Sequence, residues 1–332
     1  MSPTMKMLVG EVLGTFLLVL FGTGAVASAV LTGALTGLWQ VAVVWGFGVT
    51  LAIYATAAIS GAHLNPAVTL AFALLRPTEF PRSRVLPYWA AQLLGAVLAG
   101  VVVLVVFGAF IERFEAAEHL TRGAAGSERS AMVFGEYFPN PAIFGTGADA
   151  EALVSPLAAF GVEALGTAIL VLLIFALTDP RNGVSPGAVT PLFIGFTVAV
   201  LISLFAPITQ AGWNPARDFG PRIVAFLAGW GEIAIPGPRA GFWVYILGPL
   251  VGAPLGAATI TLLVEWLRSI GQTFPKFQEF DVIAHGLILV LVLIFMPAGL
   301  TCGIRDLCLR LWRRRSAPAS APPARVETGV PL

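Results

Sequence analysis

Ser60-Gly61-Ala62-His63-Leu64-Asn65-Pro66-Ala67-Val68-Thr69 and Asn214-Pro215-Ala216-Arg217-Asp218-Phe219-Gly220-Pro221 share one tripeptide, Asn-Pro-Ala, which occurs once in each half of the chain. Asparagine is a good helix N-cap, and proline is best tolerated at the first helical position, where its missing N–H is no loss. Each tripeptide therefore starts a helix. Each also opens an apolar stretch too short to cross a bilayer. The first runs from Asn65 to about Leu75 and stops at Arg76-Pro77; the second runs from Asn214 to about Ala225. At ~1.5 Å per residue, such pieces cover only part of a ~30 Å hydrocarbon core. Helix ends are permitted at membrane depth only where they line a cavity or pack in protein. Two half-helices entering from opposite faces would meet N-terminus to N-terminus at the centre, so the pair points to a pore.

The rest of the chain supplies the membrane. Hydrophobic residues make up 57% and charged residues 11% of the 332, against about 45–50% and about 25% in soluble proteins. An all-α integral membrane protein is expected. Six long apolar spans fall at about 8–30, 37–59, 87–110, 158–178, 188–206 and 241–264, each near the ~20 residues a bilayer demands. The start Met1-Ser2-Pro3-Thr4-Met5-Lys6 lacks the layout of a cleavable signal, and the first span is too long for a signal core. The net charge of +1 argues neither for nor against nucleic acid. No nucleic-acid partner is expected, and the composition makes the lipid bilayer the surrounding of the chain. Cys302 and Cys308 both lie in the tail. Without a second pair or metal-type spacing they suggest neither a disulfide framework nor a zinc site, and no metal or cofactor is expected. No nucleophile–base pair or phosphate loop is visible, so no catalytic residues are assigned and an enzyme is not expected.

The two halves resemble each other. Glu11-Val12-Leu13-Gly14-Thr15 recurs as Glu163-Ala164-Leu165-Gly166-Thr167, and an Asn-Pro-Ala follows each glutamate. Three spans per half is an odd number, so the second half must sit upside down, as in the inverted repeats of many transport folds. The channel domain is read as 1–266, with halves at about 7–111 and 158–266. Basic residues set its orientation. Lys6, Arg76, Arg82 and Arg84 mark one side, while 112–157 is rich in acids. The positive-inside rule puts the N-terminus in the cytoplasm.

The motifs quoted above resemble the two signature loops of the major intrinsic protein family of aquaporins and glycerol facilitators. The resemblance covers about residues 6–266. Tyr137-Phe138-Pro139-Asn140-Pro141 and Leu177-Thr178-Asp179 also resemble the glycerol-facilitator branch. The resemblance implies six transmembrane helices plus two re-entrant half-helices, a homotetramer with one pore per subunit, and a bacterial inner-membrane location. Asn65-Pro66-Ala67 and Asn214-Pro215-Ala216 would line the pore, each asparagine offering amide N–H groups. Carbonyls of Gly61, Ala62 and His63, and of Gln210, Ala211 and Gly212, would form a ladder of acceptors. Half-helix dipoles would set positive potential at the centre and oppose cations and protons. Glu11 and Glu163, lone acids in apolar spans, face the bundle interior by default. The resemblance implies that they brace the two loops, with a proton relay as the alternative.

By alignment on the motifs, the outer selectivity filter of that family falls on Trp45, Ile202, Ala211 and Arg217. Arg217 supplies a fixed fork of donors and a positive charge. Ile202 stands where water-selective members carry histidine, and Ala211 where glycerol facilitators carry a bulky aromatic. The set resembles the filter of nodulin-26-like channels, which pass glycerol, urea and metalloid hydroxides. The expected function is thus a passive channel for glycerol, urea and metalloid hydroxides such as arsenite, with some water. The alternative is a water-selective channel, against which Ile202 and Ala211 argue. An active transporter would need intramembrane charge pairs or a coupling-ion site, for which Glu11, Glu163 and Arg217 are the only candidates. Residues 267–332 depart from the family. They are read as an extension with an apolar helix at about 282–301 and a disordered Ala- and Pro-rich end at Ser316–Leu332.

Overall fold

The computed structural model describes residues 2–273, which form helices and turns without a strand. Eight helices carry the architecture: α1 (Pro3–Thr32), α2 (Leu38–Ser60), α3 (Pro66–Leu75), α4 (Val85–Ala117), α5 (Pro156–Leu177), α6 (Thr190–Thr209), α7 (Pro215–Ala225) and α8 (Val244–Thr273). All but α3 and α7 are long and apolar enough to cross a bilayer. The third span is longer than its apolar run suggested, ending at Ala117 because Glu112–Ala117 continues the helix beyond the hydrophobic stretch. The apolar run 282–301 and the end 316–332 lie outside the described residues. The chain divides into two compact units, 1–264 and 265–332. The first carries everything below. Of the second, the described part is the end of α8, where Arg268 and Glu265 lie 3.7 Å apart, one turn from each other.

The two halves start their helices with the same local chemistry. Ser2 caps α1 by accepting from the Met5 N–H at 3.2 Å, with Pro3 behind it. Ser155 caps α5 by accepting from Ala158 N–H at 3.2 Å, followed by Pro156. Asn65-Pro66 and Asn214-Pro215 start α3 and α7 in the same way. A side-chain cap of this kind is worth about 1 kcal/mol of helix stability. At the other end of α3, Arg76 does more than stop the helix. Its guanidinium donates to the Phe175 carbonyl at 2.9 Å and the Thr178 hydroxyl at 3.0 Å, placing a cation at the C-terminal end of α5, where the helix dipole favours it.

Packing repeats across the halves as well. α1 lies against α2 and α4, α2 against α6, and α5 against α6. Where α2 crosses α6, Gly46 and Gly195 meet: a Cβ on either would overlap the other's carbonyl oxygen. In the first half a Cβ on Gly95 of α4 would overlap the Val12 carbonyl of α1; in the second, one on Gly252 of α8 would overlap the Ala164 carbonyl of α5. Val12 and Ala164 each follow the repeated glutamate, so the same backbone approach recurs in both halves. Outward faces carry exposed Leu86, Val105, Leu157, Leu204 and Leu262, the surface expected of a bundle solvated by lipid.

The stretch between α4 and α5 is more deeply packed than an outer connection need be. Ser127, Ser130, Glu136 and Asn140 are all buried. Ser130 accepts from the Trp230 indole N–H at 3.0 Å, and the Tyr137 N–H donates to the Gln210 side chain at 2.8 Å. This segment folds down onto the mouth of the bundle.

Candidate functional site

Each half-helix is preceded by a loop in an unusual backbone shape. Gly61, Ala62 and Leu64 have positive φ in the first loop, and Gln210, Ala211 and Trp213 in the second. Non-glycine residues held in this region cost about 1–3 kcal/mol each unless the surroundings over-determine them. Two buried carboxylates do so. Glu11 accepts from His63 N–H at 3.0 Å and Leu64 N–H at 2.8 Å, and Gln92 donates to it at 2.7 Å. Glu163 accepts from Gly212 N–H at 3.0 Å, Trp213 N–H at 2.7 Å and the Thr209 hydroxyl at 2.6 Å. The two main-chain donors occupy equivalent positions in the two loops, while the third donor differs: the Gln92 amide for Glu11 and the Thr209 hydroxyl for Glu163. Charge-assisted bonds to main-chain N–H groups are among the stronger hydrogen bonds in proteins.

The asparagines meet at the centre. Each uses its carbonyl oxygen to cap its own helix: Asn65 accepts from Ala67 N–H at 2.8 Å, and Asn214 from Ala216 N–H at 3.1 Å and Arg217 N–H at 3.2 Å. Each donates its amide nitrogen across to the opposite loop, Asn65 to the Trp213 carbonyl at 2.9 Å and Asn214 to the Leu64 carbonyl at 2.8 Å. A side-chain amide has two N–H donors. One is used in the cross-tie, and the other remains for whatever occupies the cavity both asparagines line.

That cavity has a volume of ≈ 280 Å³. Val49, Ile53, Leu170, Ile174, Ile194 and Val198 supply apolar wall. Gly61, Ala62 and His63 line it from one loop, and Ala211 and Gly212 from the other. The His63 ring packs among Phe72, Phe80 and Tyr88, with centroids 4.7, 4.6 and 5.4 Å away. The Gln210 side chain accepts from Tyr137 N–H at 2.8 Å, tying the second loop to the segment before α5. Pro66, Ala67, Pro215 and Ala216 are buried at the helix starts.

Trp45, Ile202, Ala211 and Arg217 all line the cavity. The Arg217 guanidinium lies 4.2 Å from the centre of a Trp45 ring and forms an ion pair with Glu136. Ala211 adds only a methyl group. Two residues here escaped the sequence reading. Gly22 is the floor under Trp45: a Cβ there would overlap the indole, yet nothing in the sequence sets it apart from the other 35 glycines among the 36. Glu136 directly precedes Tyr137-Phe138-Pro139-Asn140-Pro141, and a lone acid beside a motif was the available signal. Among the described residues no group of three or more His, Cys, Asp or Glu comes together as metal ligands would.

A passage with one apolar wall and one polar wall, inside a bundle of six membrane-length helices and two half-helices, is a passive channel for small uncharged solutes. Comparison places it more narrowly. The family model described as "Major intrinsic protein" matches residues 1–260. The chain is 43% identical over 269 residues to a glycerol uptake facilitator of Haemophilus influenzae, an alignment covering 80% of this chain and 94% of that one. It is 41% identical over 258 residues to a propanediol uptake facilitator of Citrobacter freundii, covering 77% and 91%. Among solved structures, the aquaglyceroporin from Plasmodium falciparum aligns with a TM-score of 0.64 at 27% identity, covering 77% of this chain and 94% of that one. The chain belongs to the major intrinsic protein family.

Proposed function

We propose that this protein conducts glycerol and comparably small neutral solutes, urea and metalloid hydroxides such as arsenite among them, with some water. The observation that carries the reading is the composition of the outer constriction. Trp45 and Ile202 offer apolar surface to the carbon side of a polyol, Arg217 offers donors to its hydroxyls, and Ala211 leaves the fourth side open. The names of the relatives, glycerol and propanediol uptake facilitators, support the same solute class. Asn65 and Asn214 serve as central donors, the loop carbonyls as acceptors, and Glu11 and Glu163 as braces. Bacterial relatives support a plasma-membrane location, and the Lys6, Arg76, Arg82 and Arg84 cluster supports a cytoplasmic N-terminus. The functional unit is a homotetramer.

The test is comparative uptake of glycerol, arsenite and water in proteoliposomes. Glycerol and arsenite permeabilities well above empty-liposome values are expected. Water flux with neither solute passing would overturn the reading in favour of a water-selective channel. Cross-linking in mild detergent that yields only monomers would remove the tetramer.

A further inference from the structure

Four charged side chains cluster at the outer constriction, and all are buried: Arg217, which lines it, with Glu136, Asp218 and Arg222. Asp218 and Arg222 form a two-pronged pair, with bonds of 2.9 and 2.7 Å. That pairing uses both Asp218 oxygens and leaves Arg217 in need of its own counter-charge. An isolated buried cation is strongly disfavoured. Glu136 supplies the missing charge.

The placement of Glu136 is fixed from its main chain. Its N–H donates to Asp218 Oδ1 at 2.8 Å, and its carbonyl accepts from Arg222. Gly135 packs so tightly on the Arg222 guanidinium that a Cβ there would lie 2.8 Å from Cζ. The Asp218–Arg222 pair thus clamps the strand of chain entering Glu136 and delivers its carboxylate to Arg217. The Arg217 guanidinium also lies over the Trp45 ring, 4.2 Å from its centre.

We propose that Glu136 is a specificity-determining residue. Its carboxylate fixes the Arg217 guanidinium against Trp45 and cancels its charge, so the constriction presents oriented donors without net charge. This rests on the reading of Trp45, Ile202, Ala211 and Arg217 as the constriction. Two cations and two anions balance there. A solute meets a hydrogen-bonding fork of fixed direction, suited to a neutral polyhydroxylated molecule, and no fixed charge attracts anions to it.

The experiment compares glycerol permeability over water permeability in proteoliposomes for wild type, Glu136→Gln and Glu136→Asp. Gln keeps the shape and loses the charge; Asp keeps the charge on a shorter stem. Charge pairing predicts that E136Q lowers the ratio at least threefold while E136D stays nearer wild type. The reverse order, or an E136Q ratio equal to wild type in a variant that conducts water, overturns the proposal. If E136Q does not reconstitute, the doubly neutral E136Q/R217Q variant decides: recovery of folded protein supports the pairing, and no recovery overturns it. Failure of the constriction reading itself shows separately, as an Ala211→Phe variant whose ratio equals that of wild type.

Discussion

Asn65 donates its side-chain amide to the main-chain carbonyl of Trp213, 2.9 Å away and 148 residues along the chain. The reciprocal bond, Asn214 to the Leu64 carbonyl at 2.8 Å, closes a cross-tie in which each asparagine holds the other's loop. The centre of the passage is therefore a mutual restraint between two helix starts, and each polar atom there has a defined job.

Replacing either asparagine with aspartate removes two donors and adds a negative charge where two half-helix N-termini converge. Asn65→Asp and Asn214→Asp are each expected to lose the cross-tie and weaken cation exclusion. Sodium or proton flux in proteoliposomes reads this directly. Wild-type solute flux without ion leak in both variants would count against the central role of the pair.

Glu163→Ala leaves the N–H groups of Gly212 and Trp213 and the Thr209 hydroxyl without their buried acceptor. Each orphaned buried donor costs about 1–3 kcal/mol. Glu163→Gln keeps one acceptor oxygen and should lose less. Thermal unfolding in detergent is expected to rank wild type above E163Q and E163Q above E163A. Equal melting temperatures for all three would show that the loop stands without its brace.

Ala211→Phe puts an aromatic wall on the open side of the constriction. The ratio of arsenite or urea permeability to water permeability is expected to fall, because the added ring removes cross-section before it removes water's path. A uniform loss of every flux would instead mean that Ala211 packs beneath the loop.

Two helical glycines should respond in opposite ways to alanine. A Cβ on Gly252 would overlap the Ala164 carbonyl, whereas one on Gly24 would meet nothing within 4 Å. Overpacking typically costs about 1–3 kcal/mol, and an alanine in an unobstructed helix gains roughly 0.5–1 kcal/mol over glycine. G252A should melt lower than wild type and G24A no lower. A G252A protein as stable as wild type would refute the close approach of α8 to α5.

The connection between α5 and α6 carries a pH-dependent contact. Asp179 accepts from Arg181 N–H and Nε, both at 2.9 Å, and this bonding to Arg181 holds its carboxyl below the ordinary value of 3.8. The carboxylate form is the one favoured by folding, so the contribution is fully present above 3.8 and is lost as pH falls through the lower folded value. Hydrogen exchange at the Arg181 amide should quicken in acid relative to Asp179→Asn, in which it should be insensitive to this titration. Identical pH profiles would dismiss the contact.

The parts legible in the sequence are those governed by local chemistry. Asn65-Pro66 and Asn214-Pro215 are helix starts whatever surrounds them, and the apolar spans follow from the cost of bare backbone in lipid. The repeated glutamates marked themselves by being acids in apolar helices. The segment around Ser127, Glu128, Ser130 and Glu136 was opaque, because its polarity matches that of a solvated connection. Its burial depends on partners such as Gln210, Asp218 and Trp230, all 73 or more residues away. Gly22 was opaque for a related reason: its role is a vacancy that only the packed Trp45 reveals.

Gly46 and Gly195 carry a further consequence. Ala62 and Ala211, and Asn65 and Asn214, correspond with the same spacing in sequence as these two glycines. The contact is thus one position of the repeat meeting its own counterpart. In oligomers that arrangement is the mark of an isologous interface, where a residue near the two-fold axis touches its symmetry mate. The α2–α6 crossing has the form of a dimer interface between half-length chains, now covalently joined. Both partners at the axis are glycine, so a side chain gained on either side would wedge apart the subunits of that internal dimer.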